Sequence, residues 1–351
     1  MTNWKINKCL RIVLFLVLAL VTCMLAACGG GGGGGGGAGS SKTVELKMAS
    51  DAPENHMATV LNKEACEKIK ELTGGRVTVQ YYGSSQLGSY ETTYPELITG
   101  SIDIGQFTIP DATDPRFSTP YLPYYATSYE EAMILYSTDS YMSTIFKELT
   151  AYDEVRFLGW VFEGFDGMGM VTEPTDVFTP GTPKGVKVRS PGLTAFRYML
   201  EDLGYNPITV AYSEVPTAIQ TKVVDGWLGG TLNMNYAWVG DVINRMYITY
   251  ANAEATCYVI SEKSLAKLSE GDRATVIRVF EEQSALSFER AKGNDEYFRQ
   301  KLEENGVIVT EFNREQLKTN SDFVREKTWT RLADVWSAEL IDGFRAELGR
   351  L

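Results

Sequence analysis

Two stretches of the chain repeat the same order of short strands and amphipathic helices, and this repeat limits the fold more than any other feature. In the first stretch, polarity alternates over 44–48 and 77–81, and apolar residues recur every three or four positions over 57–72. The second stretch, 186–222, has the same succession of elements. Such alternation is typical of mostly parallel sheets covered by helices on both faces. The sequence therefore predicts an α/β fold with two similarly built lobes and a ligand site between them, where strand carboxyl ends and helix N-termini meet.

The last third of the chain is predicted to be mainly helical. Apolar residues over 262–305 recur at helical spacing, and a helix of that length would cross both lobes. Residues 306–311 have the pattern of a final strand, and 313–350 that of further surface helices. In the second lobe we expect a helix over 213–222 with Ser213 at its N-cap.

The first 27 residues have the features of an export signal. Three positive charges and no negative ones lie in 1–11, and an apolar run follows over 12–22. This run is shorter than the roughly 20 apolar residues of a membrane-spanning helix. The motif Leu-Ala-Ala-Cys that ends at Cys28 resembles a bacterial lipobox, so we expect the signal peptide to be cleaved after residue 27 and Cys28 to carry lipid. Residues 28–43, which include nine consecutive glycines, are expected to form a flexible tether.

Charge and histidine content exclude several classes of function. The net charge is −12, and beyond the leader 30 Lys and Arg face 45 Asp and Glu, so nucleic acid would be repelled. The single histidine, His56, argues against zinc sites and catalytic triads, and we predict no catalytic residue, metal or cofactor. His56 itself is expected to be a surface or hydrogen-bonded loop residue. Cys66 and Cys257 are expected to be separate buried thiols, although a bridge between them is possible.

An ordered set of motifs resembles TRAP-type solute-binding proteins, the dicarboxylate-binding (DctP-like) family. The motifs are Pro-Glu-Asn-His at 53–56, Thr-Gly-Gly-Arg-Val-Thr-Val at 73–79, Gln-Leu-Gly at 86–88, Thr-Gly-Ser-Ile-Asp-Ile-Gly at 99–105, Lys-Gly-Val-Lys-Val-Arg at 184–189, Tyr-Ser-Glu-Val at 212–215 and Val-Asp-Gly at 224–226. The match covers about 44–311.

The resemblance implies a two-lobe, periplasmic-binding-protein-like (type II) fold with a long helix spanning both lobes. Lobe I is predicted to comprise 44–165 plus about 255–285, and lobe II to comprise 166–254 plus about 286–351. The implied function is capture of a small organic acid and its delivery to a TRAP-type permease. The protein would be a monomer without enzyme activity, anchored by lipid on Cys28 and facing the periplasm or cell exterior.

Two alternatives remain open from the sequence. A lipoprotein of this kind could present its solute to a sensor kinase instead of a permease. An exported carbohydrate-active enzyme could use the carboxyls of Glu163 and Asp166, but their spacing does not ensure the separation of about 5 to 9.5 Å that glycoside hydrolysis needs.

Within the family, the arginine of the strand motif clamps the ligand carboxylate, and this residue corresponds to Arg189. A guanidinium matches a carboxylate with two parallel hydrogen bonds. Tyr212 corresponds to an aromatic residue that stacks on the ligand. The full set of expected ligand-binding residues is Arg189, Tyr212, Trp227, Gly229, Asn233, Asp166 and Phe107.

Two departures from the family pattern bear on the ligand. Where relatives often have Gly-Phe-Arg, this chain has Gly-Phe-Asp ending at Asp166, and Trp227 and Leu228 replace part of an Asp-Gly-Gln-Glu-Asn motif. An acid in place of an arginine disfavours a doubly anionic ligand. We therefore expect a monocarboxylate that bears hydroxyls, an aromatic ring or an amine, with Trp227 offering a flat surface and Asn233 a polar contact.

Overall fold

A computed structural model of the protein describes residues 43–112 and 114–351. The predicted signal peptide, Cys28 and most of the tether lie outside the described residues and stay predictions. Within the described ranges, no helix is both long and apolar enough to cross a membrane.

The strands of the described part, in chain order, are β1 (Val44–Ser50), β2 (Val77–Tyr82), β3 (Ile104–Phe107), β4 (Val155–Met170), β5 (Lys187–Ser190), β6 (Asn206–Thr209), β7 (Gly226–Trp227), β8 (Arg245–Ser261) and β9 (Ile308–Glu311). The helices there are α1 (Met57–Leu72), α2 (Tyr90–Thr99), α3 (Tyr129–Leu135), α4 (Tyr141–Tyr152), α5 (Thr194–Leu203), α6 (Val215–Gln220), α7 (Leu232–Val239), α8 (Glu262–Leu265), α9 (Glu270–Glu304), α10 (Arg314–Ala333) and α11 (Ala338–Leu348).

All nine of these strands join one sheet in the order β2-β1-β3-β8-β4-β7-β5-β6, and β9 pairs with β8. The strands of each repeated segment are parallel to one another, as the sequence predicts: β1 pairs with β2 and β3, and β5 with β6 and β7. The middle of the sheet differs, because β8 is antiparallel to both β3 and β4, and β4 is antiparallel to β7. Two parallel sets are thus joined by an antiparallel centre.

The antiparallel centre consists of the two longest strands. β4 and β8 pair from Val155 opposite Ser261 to Met170 opposite Arg245, and both strands are buried along almost their whole length. A strand buried on both faces lacks the alternation of polar and apolar residues that marks a half-exposed strand, so neither was predicted. These strands carry the chain across the molecule.

The hydrophobic core is divided in a way that agrees with two lobes. One cluster packs around β1, β3 and α1, and two others surround the β5–β7 region. Helix α9 places Val276 and Phe280 in the first cluster and Leu302 in one of the others, so it spans both lobes. The two-lobe fold with a long spanning helix is therefore confirmed. Helix α11 packs in the first cluster, whereas the predicted boundaries assign 286–351 to the second lobe.

Most local predictions agree with the structure, and the predicted cap at Ser213 is the exception. Helix α1 has the predicted bounds, and Cys66 and Cys257 are free and buried. Ser213 does not cap a helix: it lies inside a short 3₁₀ helix, Tyr212–Glu214, and α6 begins after it. Of the two alternatives for His56, the hydrogen-bonded loop residue is confirmed and the surface residue is not: it is the fully buried N-cap of α1, where its Nδ1 accepts a hydrogen bond from the Ala58 N–H at 3.2 Å.

Gly204, which ends α5, provides a test of how closely the end of this helix packs against the chain at Thr182. Its φ is +96°, and a Cβ there would lie 2.0 Å from the backbone oxygen of Thr182. We expect Gly204→Ala to lower the free energy of unfolding by about 2 kcal/mol or more, measured by urea denaturation. Gly293 lies inside α9, and a Cβ there would have no neighbouring atom within 4 Å, so Gly293→Ala should raise stability by about 0.5–1 kcal/mol. Equal effects of the two changes would contradict the described packing at Gly204.

Candidate functional site

A cleft lies where the carboxyl ends of parallel strands from both halves meet. Its walls include residues at or just after the ends of β1, β3, β5 and β7, the starts of α1 and α2, and the middle of β4 and β8. The space between these walls, with the mouth included, is about 560 Å³. This is the position that the sequence predicts for a ligand, since such strand ends and helix N-termini present unpaired polar groups.

Arg189 is the cationic residue of the cleft wall, and its guanidinium is fully buried. It lies on β5, whose short parallel pairing with β6 and β7 fixes the backbone. Its Nε donates to the carbonyl of Val210 at 3.0 Å and its Nη1 to the carbonyl of Leu228 at 3.2 Å. Nη2 has no hydrogen-bond partner among the described residues. Two carbonyls thus orient the guanidinium plane and leave one nitrogen free to donate.

Three other predicted residues line the cleft with Arg189. The Tyr212 ring centre is 6.0 Å from the guanidinium carbon of Arg189, and Phe107 ends β3 at the same cleft. Gly229 has φ +101°, and a Cβ there would lie 3.0 Å from Nη1 of Arg189. The absence of a side chain at Gly229 therefore leaves room for the arginine.

The remaining three predicted residues are not among the residues that line the cleft. Trp227 is fully buried in a hydrophobic cluster, and its Nε1 donates to Asn235 Oδ1 at 2.8 Å, so it offers no flat surface to a ligand. Asn233 is buried in α7. Asp166 is fully buried, and the charges of Glu254 and of Glu163, its partner in the carbohydrate-active alternative, both act on it.

The sequence prediction missed most of the acidic wall of the cleft. Glu163, considered above only as half of a catalytic pair, lines the cleft together with Glu254 and Asp51. Glu163 lies where the β4–β8 register shifts between Phe162 and Gly164, and an extra residue at such a bulge has its side chain re-aimed. The sequence does contain a signal for Glu254, because a glutamate there interrupts the mostly apolar stretch 251–260.

Neutral donors surround the Glu163 carboxylate. Its Oε1 accepts from Gln106 Nε2 at 3.1 Å and from Thr256 Oγ1 at 2.7 Å. His56 Nε2 lies 3.5 Å from Oε2. Since Nδ1 of His56 accepts a hydrogen bond, the proton of the neutral ring is on Nε2 and faces this oxygen. His56, Gln106 and Thr256 therefore position one carboxyl at the cleft wall.

Burial governs the protonation of this wall. Burial, with the nearby Glu254 charge, raises the pKa of Glu163 to about 8, and burial raises the pKa of Asp51 to about 6. Burial also raises the pKa of Glu254, and burial together with Glu254 raises the pKa of Asp166 well above its ordinary value. The pKa of His56 is lowered to about 4 by burial, so this ring is neutral at neutral pH.

The described residues contain no cluster of three or more His, Cys, Asp or Glu side chains arranged to hold a metal ion. The polar groups of the cleft wall are a single guanidinium, several carboxyls and neutral hydrogen-bond donors. Two α/β lobes that are joined by crossing strands and bound a cleft of this kind define the class of two-lobed, periplasmic-binding-protein-like solute-binding proteins.

The sequence model of DctP, described as bacterial extracellular solute-binding protein, family 7, matches residues 48–330, and the chain belongs to this family. A solute-binding protein of Chromohalobacter salexigens is 24% identical over 251 residues, which are 70% of this chain and 72% of that protein. The sialic acid-binding periplasmic protein SiaP of Vibrio cholerae is 21% identical over 267 residues, 76% of this chain and 82% of that protein. The resemblance to TRAP-type solute-binding proteins is confirmed.

Solved structures share the fold. One is a TRAP periplasmic solute binding protein from Rhodoferax ferrireducens with bound malonate, which superposes with a TM-score of 0.79 at 17% identity. The similarity covers 87% of this chain and 98% of that chain.

The raised pKa of Glu163 predicts how stability depends on pH. A carboxyl whose pKa is higher in the folded state binds its proton more tightly there, so the free energy of unfolding falls as pH rises towards the raised pKa. For Glu163 the affected range runs from 4.5 to about 8. The titratable groups that face it are Asp51, His56, Asp166, Glu254, Tyr121, Tyr212 and Tyr258.

Between about pH 6.5 and about pH 8.5, above the range in which His56 titrates, we expect ligand-free protein to lose at least ~1.4 kcal/mol of stability, the equivalent of one pKa unit. Denaturant unfolding at several pH values measures this loss. Glu163→Gln should flatten the profile, and Glu67→Gln, on the exposed face of α1, should not. A Glu163→Gln profile as steep as that of the wild type would contradict the assignment.

Proposed function

We propose that the protein captures a small organic acid with one carboxylate in the cleft and delivers it to a TRAP-type permease. The observation that carries this proposal is the free Nη2 of the buried Arg189, held in place by two backbone carbonyls. A buried guanidinium with a free donor gains most from a carboxylate, which accepts charge-assisted hydrogen bonds and neutralises the charge. The ligands of two compared relatives, malonate and sialic acid, both carry a carboxylate.

The acidic wall favours one carboxylate over two. Asp51, Glu163 and Glu254 line the same cleft as Arg189, and Asp166 lies buried behind Glu254. A second carboxylate on the ligand would either raise the pKa of these carboxyls further or be repelled by their ionised forms, and both effects weaken binding. The malonate of the Rhodoferax ferrireducens protein has two carboxylates, so our proposal makes this chain's ligand class different from that one.

The division into lobes supports capture by closure. We propose that lobe I comprises 44–165 plus about 255–285 and that lobe II comprises 166–254 together with the end of α9. The first crossing point, at 165–166, coincides with the register shift in the β4–β8 ladder between Phe165 and Gly167, and the second, at 254–255, lies opposite the shift between Phe162 and Gly164. Irregular pairing lets strands bend there, so the lobes can close on a bound solute as a monomer.

We propose further that the protein is a lipoprotein, anchored by Cys28 and facing the periplasm or cell exterior. The leader, the lipobox-like motif and the glycine tether support this location. Delivery to a sensor kinase instead of a permease is the alternative, and deletion of the permease would abolish uptake only in the first case.

Substitution of Arg189 tests the carboxylate clamp. After a thermal-shift screen of organic, sugar, amino and aromatic acids, calorimetry with the best acid should show that Arg189→Ala weakens binding by about 2 to 5 kcal/mol. Arg189→Lys should recover only part of it, because an ammonium lacks the planar pair of donors. Arg197→Ala, at an exposed arginine of α5 in the same lobe, is the control. Binding by Arg189→Ala within about threefold of wild type would exclude the clamp.

Substitution of Cys28 tests the anchor. Cys28→Ser should leave an uncleaved precursor that takes up no labelled fatty acid, because serine lacks the thiol to which diacylglycerol is attached. Cys23→Ser removes a cysteine five residues earlier and should label as the wild type does. Normal labelling of the Cys28→Ser protein would show that lipid is not carried at this position.

A further inference from the structure

The charged groups of the cleft wall are unequal in number: among the described residues the acidic ones form no ion pair with Lys or Arg, although the Arg189 charge opposes the rise that burial causes in the pKa of Glu254. Asp51, Glu163 and Glu254 line the cleft against the single guanidinium of Arg189. Tyr121 OH donates to Glu254 at 3.0 Å, and the donors to Asp51 are the Ser85 hydroxyl and the Tyr90 N–H, each at 2.9 Å. Among the described residues these carboxyls are thus held by neutral donors.

The Glu163 carboxyl is held in the same way and faces the cleft. Gln106 and Thr256 donate to one of its oxygens, and the neutral His56 ring faces the other. Neutral donors orient a carboxylate but do not compensate its charge, and a carboxylate oxygen can accept more than one hydrogen bond. The wall therefore retains the capacity to bind a positively charged group.

We propose that the solute is a zwitterion, an acid whose carboxylate binds Arg189 and whose protonated amine binds the wall formed by Glu163 and Glu254. This inference rests on the proposed function, because it takes the Arg189 clamp as given. The part of the cleft lined by Phe107, Phe196 and Met234 is apolar, so the zwitterion also carries an apolar part.

Electrostatics favours a zwitterionic amino acid over a hydroxy acid and over a dicarboxylic acid. An ammonium supplies donors and charge together, and charge-assisted hydrogen bonds are about twice as strong as neutral ones. A hydroxyl in its place donates a hydrogen bond but brings no positive charge to stabilise the ionised form of the buried carboxyl. A second carboxylate adds repulsion to the same wall.

Acids that differ at one group provide the test. The probes are phenylalanine against phenyllactate, leucine against its α-hydroxy counterpart, and γ-aminobutyrate against γ-hydroxybutyrate, with succinate as the dicarboxylate. Calorimetry with the full chain in detergent should show that at least one amine-bearing acid binds about tenfold or more tighter than its hydroxy partner and than succinate.

Variants assign the preference to the acidic wall. Glu163→Gln keeps the shape of the side chain and should reduce the preference for the amine to about threefold or less. Glu254→Gln is the second variant, since Tyr121 can still donate to the amide oxygen, and it keeps the test informative if Glu163→Gln unfolds. Glu67→Gln, on an exposed face, should keep the full preference. Arg189→Lys should weaken the binding of an amino acid and of its hydroxy counterpart to the same extent.

A proton count gives an independent readout. Because the raised pKa leaves Glu163 largely protonated near neutral pH, binding of an ammonium should displace a proton. Titrations of the tightest amino acid in phosphate and in Tris, whose ionisation enthalpies differ, should report release of close to one proton per ligand. The Glu163→Gln protein should release much less.

The outcomes separate the two proposals. Hydroxy acids or succinate binding as tightly as the amino acids, or an amine preference unchanged in both glutamine variants, would overturn the zwitterion while the Arg189 clamp stands. If Arg189→Ala has no effect on any bound acid, or if no carboxylate of the panel binds, both proposals fail.

Discussion

The pairing of β4 with β8 is the constraint on which the rest of the structure depends. This antiparallel ladder joins two parallel sets of strands, carries the chain between the lobes and brings Glu163, Glu254 and Thr256 to one wall of the cleft. Glu254 lies opposite Gly164, and Glu163 is the unpaired residue next to Gly164, so the register of the ladder brings both carboxyls close together. Helix α9 packs along β4, where Ser284 donates to the Trp160 carbonyl at 2.6 Å and Ser287 accepts from the Phe162 N–H at 3.0 Å. The two lobes are therefore connected by β4 and β8 and by helix α9, which packs against β4.

The sequence predicts the parts of the fold that depend on local periodicity. Helix α1, both sets of parallel strands and the long α9 all follow from spacing of apolar residues and from glycine ends. β4 and β8 could not be predicted in the same way, because their residues are buried on both faces and show no alternation. A resemblance identified Arg189, whose motif lies on a single strand. Trp227 looked like a ligand surface because an aromatic residue after a strand is compatible with either a cleft or a core, and its burial depends on α7, which packs from further along the chain.

The acidic wall was missed for a different physical reason. Its residues come from β1, β4 and β8, which are distant in sequence, and Glu163 points to the cleft because the ladder has an extra residue there. No local pattern encodes where a bulge forms, since a bulge reflects the competition between two strands for register. The raised pKa values of the carboxyls in the acidic wall likewise follow from burial and not from residue type. An acidic chain can hold several carboxyls beside a buried guanidinium because burial keeps part of their charge neutralised by protons.

The register shifts of β4 separate two requirements on the strand that often conflict: pairing within the sheet and lining the cleft. Glu163 and Asp166 both lie at register shifts, between Phe162 and Gly164 and between Phe165 and Gly167, so neither residue occupies a regular pairing position. Glu163 lines the cleft and Asp166 does not, so the residues of β4 that hold the sheet together and its residue at the cleft wall are different members of the same strand. Exchange of a bulged residue can alter which molecule is accepted while the hydrogen-bonded ladder stays in place. Ligand specificity can therefore change through substitutions at these positions without intermediate proteins that have lost stability.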